Sequence, residues 1–133
     1  MSDVKLLVVE DEPLLAADLE DALTAGGYTC VVAATGAAAL RELEADASGF
    51  KGVLTDIRIG RGPNGWDVRR RARELVPEMP VIYVSGDSSG DWASKGVPNS
   101  VMIGKPYATA QVITAISQLI NAAAMAPTQP NGT

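Results

Sequence analysis

Gly52-Val53-Leu54-Thr55-Asp56 is an apolar run that stops on a carboxylate. Lys51 to Thr55 read as a short, fully buried strand, bounded by Gly49 before it and by the loop Gly60-Arg61-Gly62-Pro63 after it. A charge inside such a strand is costly, whereas at its C-terminal tip an aspartate can face a solvent crevice. Taken alone, Asp56 is a strand-end turn residue. Three other apolar runs also end on polar groups, and that changes its reading.

Working outward toward the N-terminus, Val4 to Val9 is a β-prone run ending at Glu10-Asp11-Glu12. Pro13 then suits a first helical position, with Leu15, Leu19, Ala22 and Leu23 as the helical stripe. Gly26-Gly27 stops that helix, Tyr28 to Ala34 reads as a second strand, and Thr35 caps a helix facing inward through Leu40, Leu43 and Ala47. On the other side of Asp56, a Gly/Pro/Asn loop leads into a helix with the stripe Val68, Ala72, Leu75 and Val76, closed by Pro77. Pro80 to Val84 is a fourth strand, landing on Ser85-Gly86. Asp87 to Pro98 lacks an apolar stripe and is expected to be a short or irregular helix. Val101-Met102-Ile103 is a fifth strand, ending at Gly104-Lys105-Pro106. Thr109 caps a final helix carrying Val112, Ile113, Ile116, Leu119 and Ile120 on one side. Ala122 to Thr133 drift into Pro, Gln, Asn and Gly and are expected to form a frayed, disordered tail.

A β-α pattern repeated five times predicts an α/β fold with a parallel sheet covered by helices on both faces. At 133 residues the chain is one domain's worth. No run of about 18 apolar residues offers a membrane span, and Met1-Ser2-Asp3 does not open a secretory signal. Cys30, the single cysteine, forms no internal disulfide and reads as a buried structural thiol. A net charge of −5 argues against nonspecific nucleic-acid binding, and Arg69, Arg70, Arg71 and Arg73 read as a solvated helix face. Histidine is absent, which removes imidazole bases, His-ligated zinc and any phosphohistidine on this chain.

The polar tips make one constellation. Strand one ends in Glu10 and Asp11, strand three in Asp56, strand four in Ser85 and strand five in Lys105. Three carboxylates brought together repel unless a cation joins them, and hard oxygen ligands suit Mg²⁺. A lysine and a hydroxyl at the same rim suit the non-bridging oxygens of a phosphoryl group. The set therefore reads as a carboxylate nucleophile, a metal site and two ligands for a transferred group.

On Val8-Val9-Glu10-Asp11-Glu12-Pro13, Leu54-Thr55-Asp56, Val84-Ser85-Gly86 and Lys105-Pro106, the chain resembles a response-regulator receiver domain of two-component signalling. That resemblance implies a flavodoxin-like, doubly wound (βα)5 fold with strand order 2-1-3-4-5 over residues 1–121, followed by the tail 122–133. It implies Asp56 as phospho-acceptor, fed by a sensor histidine kinase or a histidine phosphotransfer protein. It also implies Mg²⁺ held by Asp11 and Asp56 directly, by Glu10 through water and by the backbone carbonyl of Arg58. Lys105 and Ser85 would bind the phosphoryl group and carry the signal toward the face of the fourth helix, fifth strand and fifth helix. The cytoplasm is the setting the resemblance implies.

Two departures stand out. The family's aromatic switch three positions before the lysine is Met102 here, leaving Tyr83 and Tyr107 as aromatics that could substitute. The loop after Asp56 carries an extra residue, Ile57 to Asn64 placing eight before Gly65. Arg58 and Asp87, two past Asp56 and two past Ser85, are expected to pair across the site and slow attack by water. No DNA-binding or enzyme domain follows the fifth helix, so a stand-alone switch acting through protein–protein contact, without substrate turnover, is expected. The alternatives are a phosphorylation-independent interaction module and an aspartyl-phosphate phosphatase. The second is disfavoured by Arg58, where a second aspartate is wanted.

Overall fold

The computed structural model describes residues 4–85, 100–105 and 107–125. Five parallel strands, β1 (Val4–Val9), β2 (Tyr28–Ala33), β3 (Gly52–Asp56), β4 (Val81–Ser85) and β5 (Ser100–Gly104), form one sheet in the order β2-β1-β3-β4-β5. The expected strand order is thus the observed one. The chain leaves β1 for β2 on one side and returns to β3 on the other, so the switch point lies between the C-terminal ends of β1 and β3. Glu10, Asp11 and Asp56 stand at those ends.

Strand alternation sorts the core into two halves. Leu7, Val9, Val53, Val81 and Tyr83 face one side, under α2 (Gly36–Asp46) and α3 (Gly65–Leu75), with Leu43, Trp66, Val68 and Ala72 packed on them. Leu6, Val8, Leu54, Ile82, Val84 and Ile103 face the other, under α1 (Pro13–Ala25) and the last helix, α4 (Thr109–Met125). Leu19, Leu23, Val112 and Ile116 fill that side. A short 3₁₀ turn, Ala47–Gly49, leads from α2 to β3.

Local chemistry fixes the helix starts. Pro13 opens α1 where no backbone donor is needed. The Thr35 side chain caps α2 by accepting from the Ala38 N–H at 3.0 Å. A reciprocal capping box opens α3: the Asn64 side chain accepts from the Asp67 N–H, and the Asp67 carboxylate from the Asn64 N–H. Gly26 closes α1 and Gly27 turns the chain with φ 100°.

Several boundaries differ from the sequence expectation. β3 runs through Asp56, which is in register with Val84 rather than beyond the ladder. Leu75 is 37% exposed, because α3 ends there at the sheet's N-terminal edge, and its buried face is carried by Trp66, Val68 and Ala72. Thr109 is the first residue of α4, not its cap. That helix continues to Met125, past the boundary expected at Asn121, since Ala122 to Met125 contain no helix breaker. Cys30 is half-buried rather than buried. The irregular helix expected over Asp87 to Pro98 lies outside the described residues.

Candidate functional site

Four strand ends converge on one acidic crevice. Glu10 is 3% exposed, Asp56 8% and Ser85 5%, while Asp11 is open to solvent. One carboxylate oxygen from each of Glu10, Asp11 and Asp56 lies within 4.8 Å of the others. Lys105 reaches in from the end of β5, its Nζ 2.7 Å from Asp56 Oδ2 and 3.7 Å from both Glu10 Oε1 and Glu12 Oε1. The Lys105 N–H donates to the Ser85 carbonyl at 2.8 Å, extending the β4–β5 ladder and aligning the lysine with the site. The expected residues Glu10, Asp11, Asp56, Ser85 and Lys105 are thus brought to one rim.

The backbone shapes the crevice as much as the side chains do. The Arg58 N–H donates to Asp56 Oδ1 at 3.3 Å, and the Thr55 hydroxyl donates to the Asp56 carbonyl at 2.8 Å. The Glu12 N–H donates to Glu10 Oε2 at 3.1 Å, orienting the most buried carboxylate. Gly65 packs directly on the Asp56 carbonyl: a Cβ there would lie 2.5 Å from that oxygen. The loop between β3 and α3 folds back through Gly60 and Gly62, both with positive φ, and its Pro63 carbonyl rests against Gly36 at the start of α2. Loop length and glycine placement are thereby explained together.

Burial pushes the Glu10 carboxyl up to about 7. The Glu12 N–H pulls it down, Asp56 raises it further and Lys105 partly offsets that. Burial alone would lower the Lys105 ammonium, but its hydrogen bond to Asp56 and the charges of Asp56, Glu10 and Glu12 hold it above its ordinary value. Burial also raises the Tyr107 phenol to about 12, and its hydroxyl has no hydrogen-bond partner among the described residues.

Other sequence candidates fall elsewhere. Tyr83 lies two residues inside β4, fully buried, and Met102 is its cross-strand neighbour on β5. Neither sits in the crevice. The Arg58 backbone is at the site, while Asp87, its expected partner, lies outside the described residues. Sequence reading missed Glu12 as a third carboxylate for Lys105, beside Asp56 and Glu10, although the run Glu10-Asp11-Glu12 carried the signal. It also missed Gly65, whose role rests on a contact that no local pattern announces.

A compact oxygen-donor set with one buried and one exposed carboxylate beside the Asp56–Lys105 pair fits a hard divalent cation such as Mg²⁺. The Asp56 carboxylate faces the lysine with one oxygen and has its second oxygen held by a backbone N–H, an arrangement that suits a carboxylate nucleophile.

Known proteins agree with this architecture. Residues 6–117 match the response regulator receiver domain family. A response regulator receiver protein of Anaeromyxobacter sp. (strain Fw109-5) is 33% identical over 113 residues, which are 84% of this chain and 43% of that protein. The chain therefore spans less than half the length of this curated relative. A response regulator receiver protein from Sinorhizobium medicae WSM419 superposes with a TM-score of 0.87 at 45% identity, covering 91% of this chain and 97% of that one. The receiver domain of a sensor histidine kinase from Pseudomonas aeruginosa PAO1, solved with magnesium in its active-site cleft, shares the fold at a TM-score of 0.76 and 24% identity, over 90% and 99% of the two chains. With its 2-1-3-4-5 sheet and its acidic switch-point crevice, the chain belongs to the response regulator receiver domain family of two-component signalling.

Proposed function

We propose that this receiver domain takes a phosphoryl group onto Asp56 from a phosphohistidine of a sensor kinase or phosphotransfer protein. It would pass the resulting state on by protein–protein contact. The observation that carries this reading is the Asp56–Lys105 pair at 2.7 Å, set among three carboxylates whose oxygens lie within 4.8 Å. Asp56 is the nucleophile: a carboxylate oxygen attacks phosphorus, the P–N bond to the donor histidine breaks, and the electron pair leaves with the imidazole nitrogen. Lys105 moves from the carboxylate to a phosphoryl oxygen, and Ser85, at the end of β4, offers its hydroxyl to another.

Asp11, Asp56, Glu10 through water and the Arg58 carbonyl would hold Mg²⁺ here, as the magnesium in the cleft of the Pseudomonas aeruginosa relative suggests. When bound, the cation neutralises charge building on the phosphoryl oxygens. The protein acts as a switch rather than as a turnover enzyme, in keeping with its family.

The test is intact mass after incubation with acetyl phosphate and Mg²⁺. One labile phosphoryl adduct is expected, absent from Asp56→Asn and from a chelated sample. An adduct that persists in Asp56→Asn would refute the assignment. So would failure of both acetyl phosphate and phosphohistidine donors to label the unsubstituted chain.

A further inference from the structure

Tyr83 and Arg69 present an anomaly away from the crevice. Tyr83 is fully buried in β4, yet its hydroxyl has no hydrogen-bond partner among the described residues, and neither does the buried Nε–H of Arg69 on α3. The two groups face each other closely enough for the Arg69 side chain to act on the phenol through its charge and an incompletely formed hydrogen bond, while burial, the larger effect, holds the phenol above its ordinary value and so protonated at neutral pH. A bond left short of good geometry between two buried polar groups is unfavourable and rare in a native core. Arg73, one turn further along the same helix, shows the satisfied arrangement, its Nε–H donating to the Met79 carbonyl at 2.7 Å.

The surroundings tie this pair to Asp56. The Tyr83 ring lies against Trp66 with centroids 4.6 Å apart and planes tilted by 51°. Trp66 directly follows Gly65, where an added Cβ would meet the Asp56 carbonyl at 2.5 Å and whose N–H donates to the Ile57 carbonyl at 2.8 Å. Across the sheet, Tyr83 is in register with Thr55, the residue before Asp56, and with Met102. Met102 packs against the same cluster, and an unbranched thioether can yield to a moving ring.

We propose that Tyr83, Trp66 and Arg69 form the element that reads the state of Asp56, with the Arg69 Nε–H closing onto the Tyr83 hydroxyl when a phosphoryl group is present. The inference rests on Asp56 being the phospho-acceptor. Movement of the Asp56 carbonyl is transmitted through Gly65 to the first turn of α3, because a packed backbone contact cannot absorb it. The output of this chain then emerges through α3, on the sheet face opposite α4.

The experiment uses the full chain carrying Trp92→Phe, so that Trp66 is its one indole. Beryllium fluoride with Mg²⁺ serves as a tetrahedral stand-in for the phosphoryl group, its binding followed independently by fluorine NMR. Binding is expected to change Trp66 emission. Tyr83→Phe, which keeps the ring and removes the hydroxyl, is expected to bind the probe and lose the emission change, and Arg69→Gln to do the same. A full Trp66 response in either folded variant, or silence of Trp66 in the parent despite bound probe, overturns the inference. Should the parent bind no probe at all, the Asp56 reading itself falls and takes the inference with it, an outcome that fluorine NMR separates from the others.

Discussion

Glu10 is nearly out of reach of water beside two other carboxylates, so its ionised form is disfavoured in the folded chain. Its carboxyl titrates at about 7 when folded against 4.5 as the ordinary value. Between those values the folded chain holds a proton that the unfolded chain has released. The contribution of Glu10 to stability is therefore greatest below about 4.5, falls as pH rises through the window, and levels off above about 7. At about 1.4 kcal/mol per unit, the loss is on the order of 3 kcal/mol. In urea titrations without metal, Glu10→Gln should flatten the difference between pH 5 and pH 7.5. If the two proteins lose stability in parallel over that range, the raised Glu10 carboxyl is not its source. Lys105 shows the opposite logic at the same site: its partners favour the charged form, so it stays an ammonium throughout this window.

Among the elements, α3 bears on the crevice through Gly65, its first residue, which packs on the Asp56 carbonyl. Its capping box joins Asn64 and Asp67, and removing a cap of this kind costs about 1 kcal/mol. Asn64→Ala should lower the urea midpoint accordingly, with the m-value unchanged. Three glycines, at the starts of α3 and α2 and the end of β5, divide sharply. A Cβ on Gly65 would meet the Asp56 carbonyl at 2.5 Å, and one on Gly36 would meet the Pro63 carbonyl at 2.1 Å, both backbone atoms that cannot swing aside. Gly65→Ala and Gly36→Ala should each cost about 1–3 kcal/mol or more and slow labelling of Asp56, since both displace the loop that holds it. Gly104→Ala, whose nearest neighbour would be the Ser85 carbonyl at 3.9 Å, should do neither. These contacts were not legible in the sequence, because close approach between segments far apart along the chain leaves no local pattern. The strands were legible because β1, β3 and β4 are short apolar runs with polar tips, and the site followed from the tips once the sheet was seen to be parallel. Periodicity misled at Leu75, which is in phase with Val68 and Ala72 but ends the helix at the rim of the sheet. Composition misled at Ala122, where a run of alanines reads as a fading tail yet continues α4.

At the scale of the whole molecule, the crevice sits where four strands end, and its charges bear on the stability of the entire sheet. Glu10 and Asp11 extend β1, Asp56 closes β3 and Lys105 follows β5, so the balance among them fixes how the C-terminal edge is held. One lysine faces Asp56, Glu10 and Glu12, whereas no ion pair to the exposed Asp11 is seen among the described residues. A divalent ion held there, as proposed above, would supply positive charge beside Asp11 and bind the folded chain alone, because its ligands would come from β1 and β3 and are adjacent only after folding. By mass action, Mg²⁺ at about 100 times its Kd should add about 2.7 kcal/mol. For a chain of this size that raises Tm by roughly 5–15 °C, and chelation should reverse it. Asp11→Asn removes an exposed ligand without touching the core or the Asp56–Lys105 pair, so its metal-free Tm should stay within a degree or two of the parent's, on the order expected for a surface change. What it should lose is the rise with Mg²⁺. A magnesium-dependent rise that survives intact in Asp11→Asn would place the ion elsewhere on the surface and separate the acidic crevice from metal binding.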